Sequence, residues 1–228
     1  MSGGQNAVLG LVGRKGSGKS TLGRRIAERL PRVFVFDPMG EHGWVANTFA
    51  DADDADEFLR WAAARPTFSG RLVPQWDEAQ AFAELAELVY EIGGMALMVE
   101  EAPMVCRAGH LPPEFARLVR LGRHRRVGLL WTAQRMAEVS RTLSAMTDGF
   151  GLFASTEPRD LEETADRCGR EAAERVARLP LHGLLGWDVI ARREVGAAGL
   201  LRLAQAPFAR QLAAAGHGRE AVGGAEGS

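Results

Sequence analysis

Two cysteines in 228 residues, Cys106 and Cys168, leave no framework for disulfides and no spacing for a metal cluster or redox pair. Both are expected to be reduced structural thiols. Lysine plus arginine number 28 against 29 aspartates plus glutamates, a net charge of −1, so there is no global pull toward nucleic acid. Any basic surface has to be local. No apolar stretch approaches the roughly 20 residues that cross a bilayer, so no direct membrane insertion is expected. Met1–Asn6 has neither the charged nor the apolar region of a signal peptide, which points to a cytoplasmic chain. No internal repeat is visible. What remains is an ordinary globular composition, 46% hydrophobic and 25% charged, enough for one sizeable α/β core and too short for two full domains. Residues 1–215 are therefore expected to form a single domain. Residues 216–228, rich in Gly, Ala and Glu, are expected to be a disordered tail.

Against these absences stands one strong signal. Ala7–Val12 reads as a buried strand that breaks at Gly13, and Gly13-Arg14-Lys15-Gly16-Ser17-Gly18-Lys19-Ser20 fits G-x-x-x-x-G-K-[ST], with Thr21 opening a helical segment to Leu30. Glycines at this spacing let successive backbone N–H groups point inward at an anion, and the following helix adds its positive end. Lys19 can reach the terminal phosphates of a nucleoside triphosphate and the Ser20 hydroxyl can hold Mg²⁺. The segment predicts ATP as ligand with Mg²⁺ as its companion.

Arg32–Asp37 is read as the second strand, followed by the polar loop Asp37–Gly43 at its carboxyl end, the edge where ligands bind in open α/β sheets. Residues 51–64 start with an acidic cluster suited to a helix amino terminus. Arg71–Pro74 is read as a short strand, and the spacing Phe82, Leu85, Ala86, Val89 predicts an amphipathic helix over Asp77–Ile92. Met95–Val99 is an apolar strand ending in Glu100-Glu101. Such a pair beside a phosphate loop offers one carboxylate, Glu100, to the metal and a second, Glu101, to deprotonate a water; the alternative is a strand end with exposed acids. Leu111–His124 is read as a helix whose end carries Arg117, Arg120 and Arg123, with Arg125 and Arg126 following: either a solvated basic face or a functional patch. Val127–Trp131 is read as the next strand, with Gln134 just beyond it placed to sense a terminal phosphate or hold water. Met136–Met146 is expected to be helical, Gly149–Ala154 a strand, and Arg159–Cys168 and Arg170–Leu179 helices. His182–Ala191 and Gly199–Ala204 are expected to close the chain as a terminal hairpin.

Taken in order, these pieces resemble the FtsK–HerA superfamily of P-loop ATPases over residues 7–165. Besides the phosphate loop, Phe36-Asp37-Pro38-Met39-Gly40-Glu41 is similar to the Asp-Pro-x-Gly-Glu segment of HerA-like members, and Met95–Ala102 to their strand ending in Asp-Glu-Ala, with Glu100 replacing the usual Asp. Gly122-Arg123 with Val127–Arg135 resembles their Gly-Arg, spacer, strand and Ala-Thr-Gln-Arg segment. The resemblance implies a RecA-like, mostly parallel sheet flanked by helices, a homo-oligomeric ring, hexameric or pentameric, and ATP hydrolysis coupled to translocation of double-stranded DNA. It also implies that Arg123, or Arg125 or Arg126 nearby, reaches into a neighbouring subunit's site. A nearly bare motor core looks most like the genome-packaging ATPases of viruses, acting in the host cytoplasm or at a packaging vertex with a capsid or membrane portal protein. Plasmid or conjugative DNA transfer, a small-molecule kinase and a non-motor ATP switch are the alternatives.

Overall fold

The computed structural model describes residues 7–209 and 211–213. The expected tail lies outside the described residues. The chain runs β1 (Val8–Val12), α1 (Lys19–Ala27), β2 (Arg32–Phe36), β3 (Asn47–Phe49), α2 (Ala52–Ala62), β4 (Phe68–Leu72), α3 (Glu78–Ile92), β5 (Ala96–Val99), α4 (Pro113–Leu121) and β6 (Gly128–Ala133). It continues with α5 (Arg141–Ala145), β7 (Gly149–Phe153), α6 (Pro158–Cys168), α7 (Arg170–Ala177), β8 (Leu184–Asp188), β9 (Arg193–Val195) and α8 (Ala197–Gln205). The strands form one sheet in the order β3-β4-β2-β5-β6-β1-β7-β8-β9. From β3 to β7 every pairing is parallel, and only the β7–β8 and β8–β9 pairings are antiparallel.

Apolar runs buried on both faces are what a parallel sheet sandwiched by helices requires. Alternate residues divide between two cores. Val8 and Val12, Phe34 and Phe36, Leu97 and Val99, and Leu129 and Trp131 face one side with Leu59, Phe82, Phe115 and Val176 from the helices. Leu9 and Leu11, Val33 and Val35, Met98 and Leu130 face the other, against Leu22 and Ile26 of α1 and Leu200 of α8. Asp51 and Asp77 each accept a bond from the backbone N–H three residues on, capping α2 and α3. The acids of the 51–57 cluster therefore serve a helix start. Cys106 and Cys168 are both free and buried.

Two expectations need correction. Met136–Met146 is not one helix: Met136–Glu138 is a single 3-10 turn and α5 begins only at Arg141. Val139 is held extended between them by a bridge to Arg107, while the Glu138 carbonyl accepts the Ala108 N–H at 2.8 Å. Gly199–Ala204 is helical rather than the second limb of a hairpin, because Gly199, Leu200 and Ala204 form one buried helical face. The hairpin is β8 with β9, and it precedes α8. The short β3 joins the sheet through Asn47–Phe49, a segment whose sequence carried no strand signal.

Candidate functional site

Strand order sets the site. Because β6 lies between β1 and β5, the loop after β1, the acids after β5 and the amide after β6 emerge side by side on the carboxyl edge. The Gly13 N–H donates to the Ala133 carbonyl at 3.1 Å, tying the start of the phosphate loop to the end of β6. A Cβ on Gly13 would lie 2.6 Å from Phe153 Cβ, which excludes any side chain. Gly16 and Gly18 have φ of 78° and 103°, the left-handed region that glycine alone enters freely. Gly18 opens α1 without a side-chain cap, so first-turn N–H groups remain for an anion. Lys19 and Ser17 are buried here, while Arg14, Lys15 and Thr21 are exposed.

Glu100 is only 2% exposed, and both carboxylate oxygens are engaged. Ser20 Oγ donates to one at 3.1 Å, and His42 Nε2 meets the other at 2.9 Å. Trp44 Nε1 donates to His42 Nδ1 at 3.0 Å. An indole N–H is only a donor, so His42 Nδ1 accepts and its Nε2–H donates to Glu100. Beneath this pair, Asp37 accepts the backbone N–H groups of Glu41 and His42 and the Arg71 guanidinium, each at 2.9 Å. One buried carboxylate thus folds the 37–44 loop and aims His42. Burial pushes the Glu100 carboxyl up, but the contact with His42, the Lys19 charge and the Ser20 hydroxyl outweigh it, and the net shift is downward.

Glu101 behaves oppositely. It takes the left-handed conformation at φ 50°, its N–H donates to Thr132 Oγ1 at 2.9 Å, and its Oε1 accepts the Gln134 N–H at 3.3 Å. Burial raises its pKa, against the opposing pull of Gln134 and Lys19. Two adjacent glutamates are driven apart: one held ionised, the other made more basic.

The oxygens of Ser20 and Glu100 suit a hard cation such as Mg²⁺, which commonly takes one or two protein oxygens and completes its shell with phosphates and water. Among the described residues no three His, Cys, Asp or Glu side chains converge as a metal cluster. A cleft of about 490 Å³ runs from Gly16–Leu22 past Phe153, His182 and Leu184, with the His182 ring nitrogen 3.2 Å from the Ser17 carbonyl.

The sequence-predicted residues Gly13–Thr21, Glu100, Glu101 and Gln134 are brought together. Arg123 is not. It lies before β6, at the amino edge, and a six-residue strand separates the two edges by about 20 Å. Among the described residues the Arg123 side chain bonds only to its neighbour His124, whereas Arg125 is spent on the carbonyls of Tyr90 and Glu91. Sequence reading missed His42 and Trp44. The only available signal was their place in the loop after β2.

Fold and site define the P-loop NTPase fold with a RecA-like sheet. The solved structures it is similar to include the genome-packaging NTPase B204 from Sulfolobus turreted icosahedral virus 2 in complex with AMPPCP. That match has a TM-score of 0.69 at 20% identity, covering 83% of this chain and 95% of that one. The same protein in complex with ATP-gammaS matches at 0.68 and 20%, covering 83% and 95%. B204, the DNA-packaging ATPase of Sulfolobus turreted icosahedral virus, matches at 0.63 and 18%, covering 84% and 97%. No protein-family model and no curated protein sequence matches this chain.

Proposed function

We propose that this chain is an ATP-hydrolysing double-stranded DNA translocase of FtsK–HerA type, which works as a ring and packages a viral genome. The observation that carries this reading is the single carboxyl edge on which the phosphate loop, Glu100, Glu101 and Gln134 meet. The shared fold with a packaging NTPase, over nearly its whole length, supports it.

Lys19 and the uncapped N–H groups of α1 hold the phosphates. Ser20 and Glu100 would hold Mg²⁺, which would supply charge neutralisation on the phosphate oxygens. Glu101, with its raised pKa, accepts a proton from the attacking water, and Gln134 orients that water. The Asp37–Trp44 loop keeps Glu100 in place, which matters because glutamate carries one more rotatable bond than the aspartate it replaces. Arg123 faces away from its own site and acts on the nucleotide of a neighbouring copy. An arginine in that role is worth about 10³–10⁵ in rate. Hydrolysis therefore depends on assembly.

Steady-state ATP hydrolysis, measured with and without long duplex DNA across a protein concentration series, tests the reading. Stimulation by DNA and a steep rise with concentration are expected. A rate indifferent to both overturns it.

A further inference from the structure

The amino edge of the sheet, remote from the phosphate loop, holds a second concentration of positive charge. A pocket of about 260 Å³ is lined by Arg32, His124, Arg125 and Arg126, with Gly93, Gly94 and Gln211 among its walls. Among the described residues no carboxylate lines it; nearby Glu91 carries its acid toward Arg60 at 3.6 Å.

Arg32, the first residue of β2, is 9% exposed, and its Nε has no hydrogen-bond partner among the described residues. The Phe68 ring lies 5.1 Å from its Cζ. Burial and then the Arg126 charge both lower its pKa. A buried guanidinium facing another cation is costly unless an anion completes it. Gln211 Oε1 is also unpartnered among the described residues, and rotation of that amide would turn its NH₂ toward an anion.

We infer that this pocket, built on the buried Arg32 with Arg125 and Arg126 at its mouth, binds a phosphate group: free phosphate or a terminal phosphate monoester. The planar fork of Arg32 matches two oxygens of such a group, and the exposed Arg126 supplies a second charge. A phosphodiester carries one negative charge where phosphate or a terminal monoester carries up to two, so the paired guanidiniums favour the latter. The site is independent of the nucleotide site.

The test uses the full chain carrying Lys19→Ala throughout, which weakens phosphate binding at the phosphate loop. Inorganic phosphate at tenfold its Kd is expected to raise the melting temperature by roughly 3–6 °C over potassium chloride of equal ionic strength. Adding Arg32→Met should abolish that shift. Adding the exposed Arg126→Ala, which leaves the core untouched, should weaken phosphate binding about tenfold by calorimetry. A full shift retained in Arg32→Met, or no shift above chloride in the parent, overturns the site. Trinucleotides with a 5′-phosphate and with a 5′-hydroxyl separate the sources. Preference for the phosphorylated form over inorganic phosphate assigns a nucleic-acid end, and the reverse preference assigns free phosphate. An equal response to the hydroxyl form overturns the proposal.

Discussion

Glu100 shows what one methylene demands. A glutamate in this position has to be restrained from both sides, and Ser20 and His42 supply the restraint at 3.1 and 2.9 Å. Substituting His42 by Ala should leave metal-free nucleotide binding intact while the Mg²⁺ concentration for half-maximal hydrolysis rises 10–100-fold, as for other partners of metal ligands. Titration of activity against Mg²⁺ reads the effect, and an unchanged midpoint would remove His42 from this role. Glu101→Gln should keep ATP binding and lose about 10²–10⁴ in turnover, measured in single-turnover assays. Of these residues, the glutamates and Gln134 were legible because each follows an apolar run that can only be a strand. The His42–Glu100 bond was not: it joins positions 58 apart, and its geometry depends on Asp37 folding the intervening loop.

Elements with strong periodicity or long apolar runs were legible, among them β1, β2, β5, β6 and α3. Those decided by tertiary pairing were not. The segment 199–204 is too short for its apolar pattern to separate strand from helix, and the exposed β3 has no apolar run at all. A glycine in the middle of β1 was likewise unexplained by sequence. In the sheet, Gly10 lies beneath the Trp131 indole of β6, and an added Cβ would fall 2.3 Å from the ring. Trp131 is fixed by its bond to Thr147 and its edge-on contact with Phe150, so it cannot yield freely. Gly10→Ala is therefore expected to cost about 1–3 kcal/mol of stability, read as a lower denaturant midpoint at unchanged slope.

At the scale of the molecule, the two edges of the sheet divide the labour. The phosphate loop, Glu100, Glu101 and Gln134 gather on the carboxyl edge, and Arg123, Arg125 and Arg126 on the amino edge. If Arg123 serves a neighbouring copy, Arg123→Ala alone should lose most hydrolysis. Mixing it with Glu101→Gln, itself inactive, should restore part, because some interfaces then pair an intact arginine with an intact base. Rates of the mixture no higher than the sum of the separate proteins would show that Arg123 acts elsewhere. The two flanks of the sheet matter as well. Its outermost strands, β3 and β9, are three residues each and largely exposed, with Asn47 bonded back to the Ser69 carbonyl and Glu194 drawn into an ion pair with Arg175. A long bare flank would pair with any extended chain it met and grow without limit. Stubs this short and polar offer little to such pairing. Self-association then falls to side-chain surfaces, whose chemistry can fix both the partner and the number of copies where open-ended strand addition cannot.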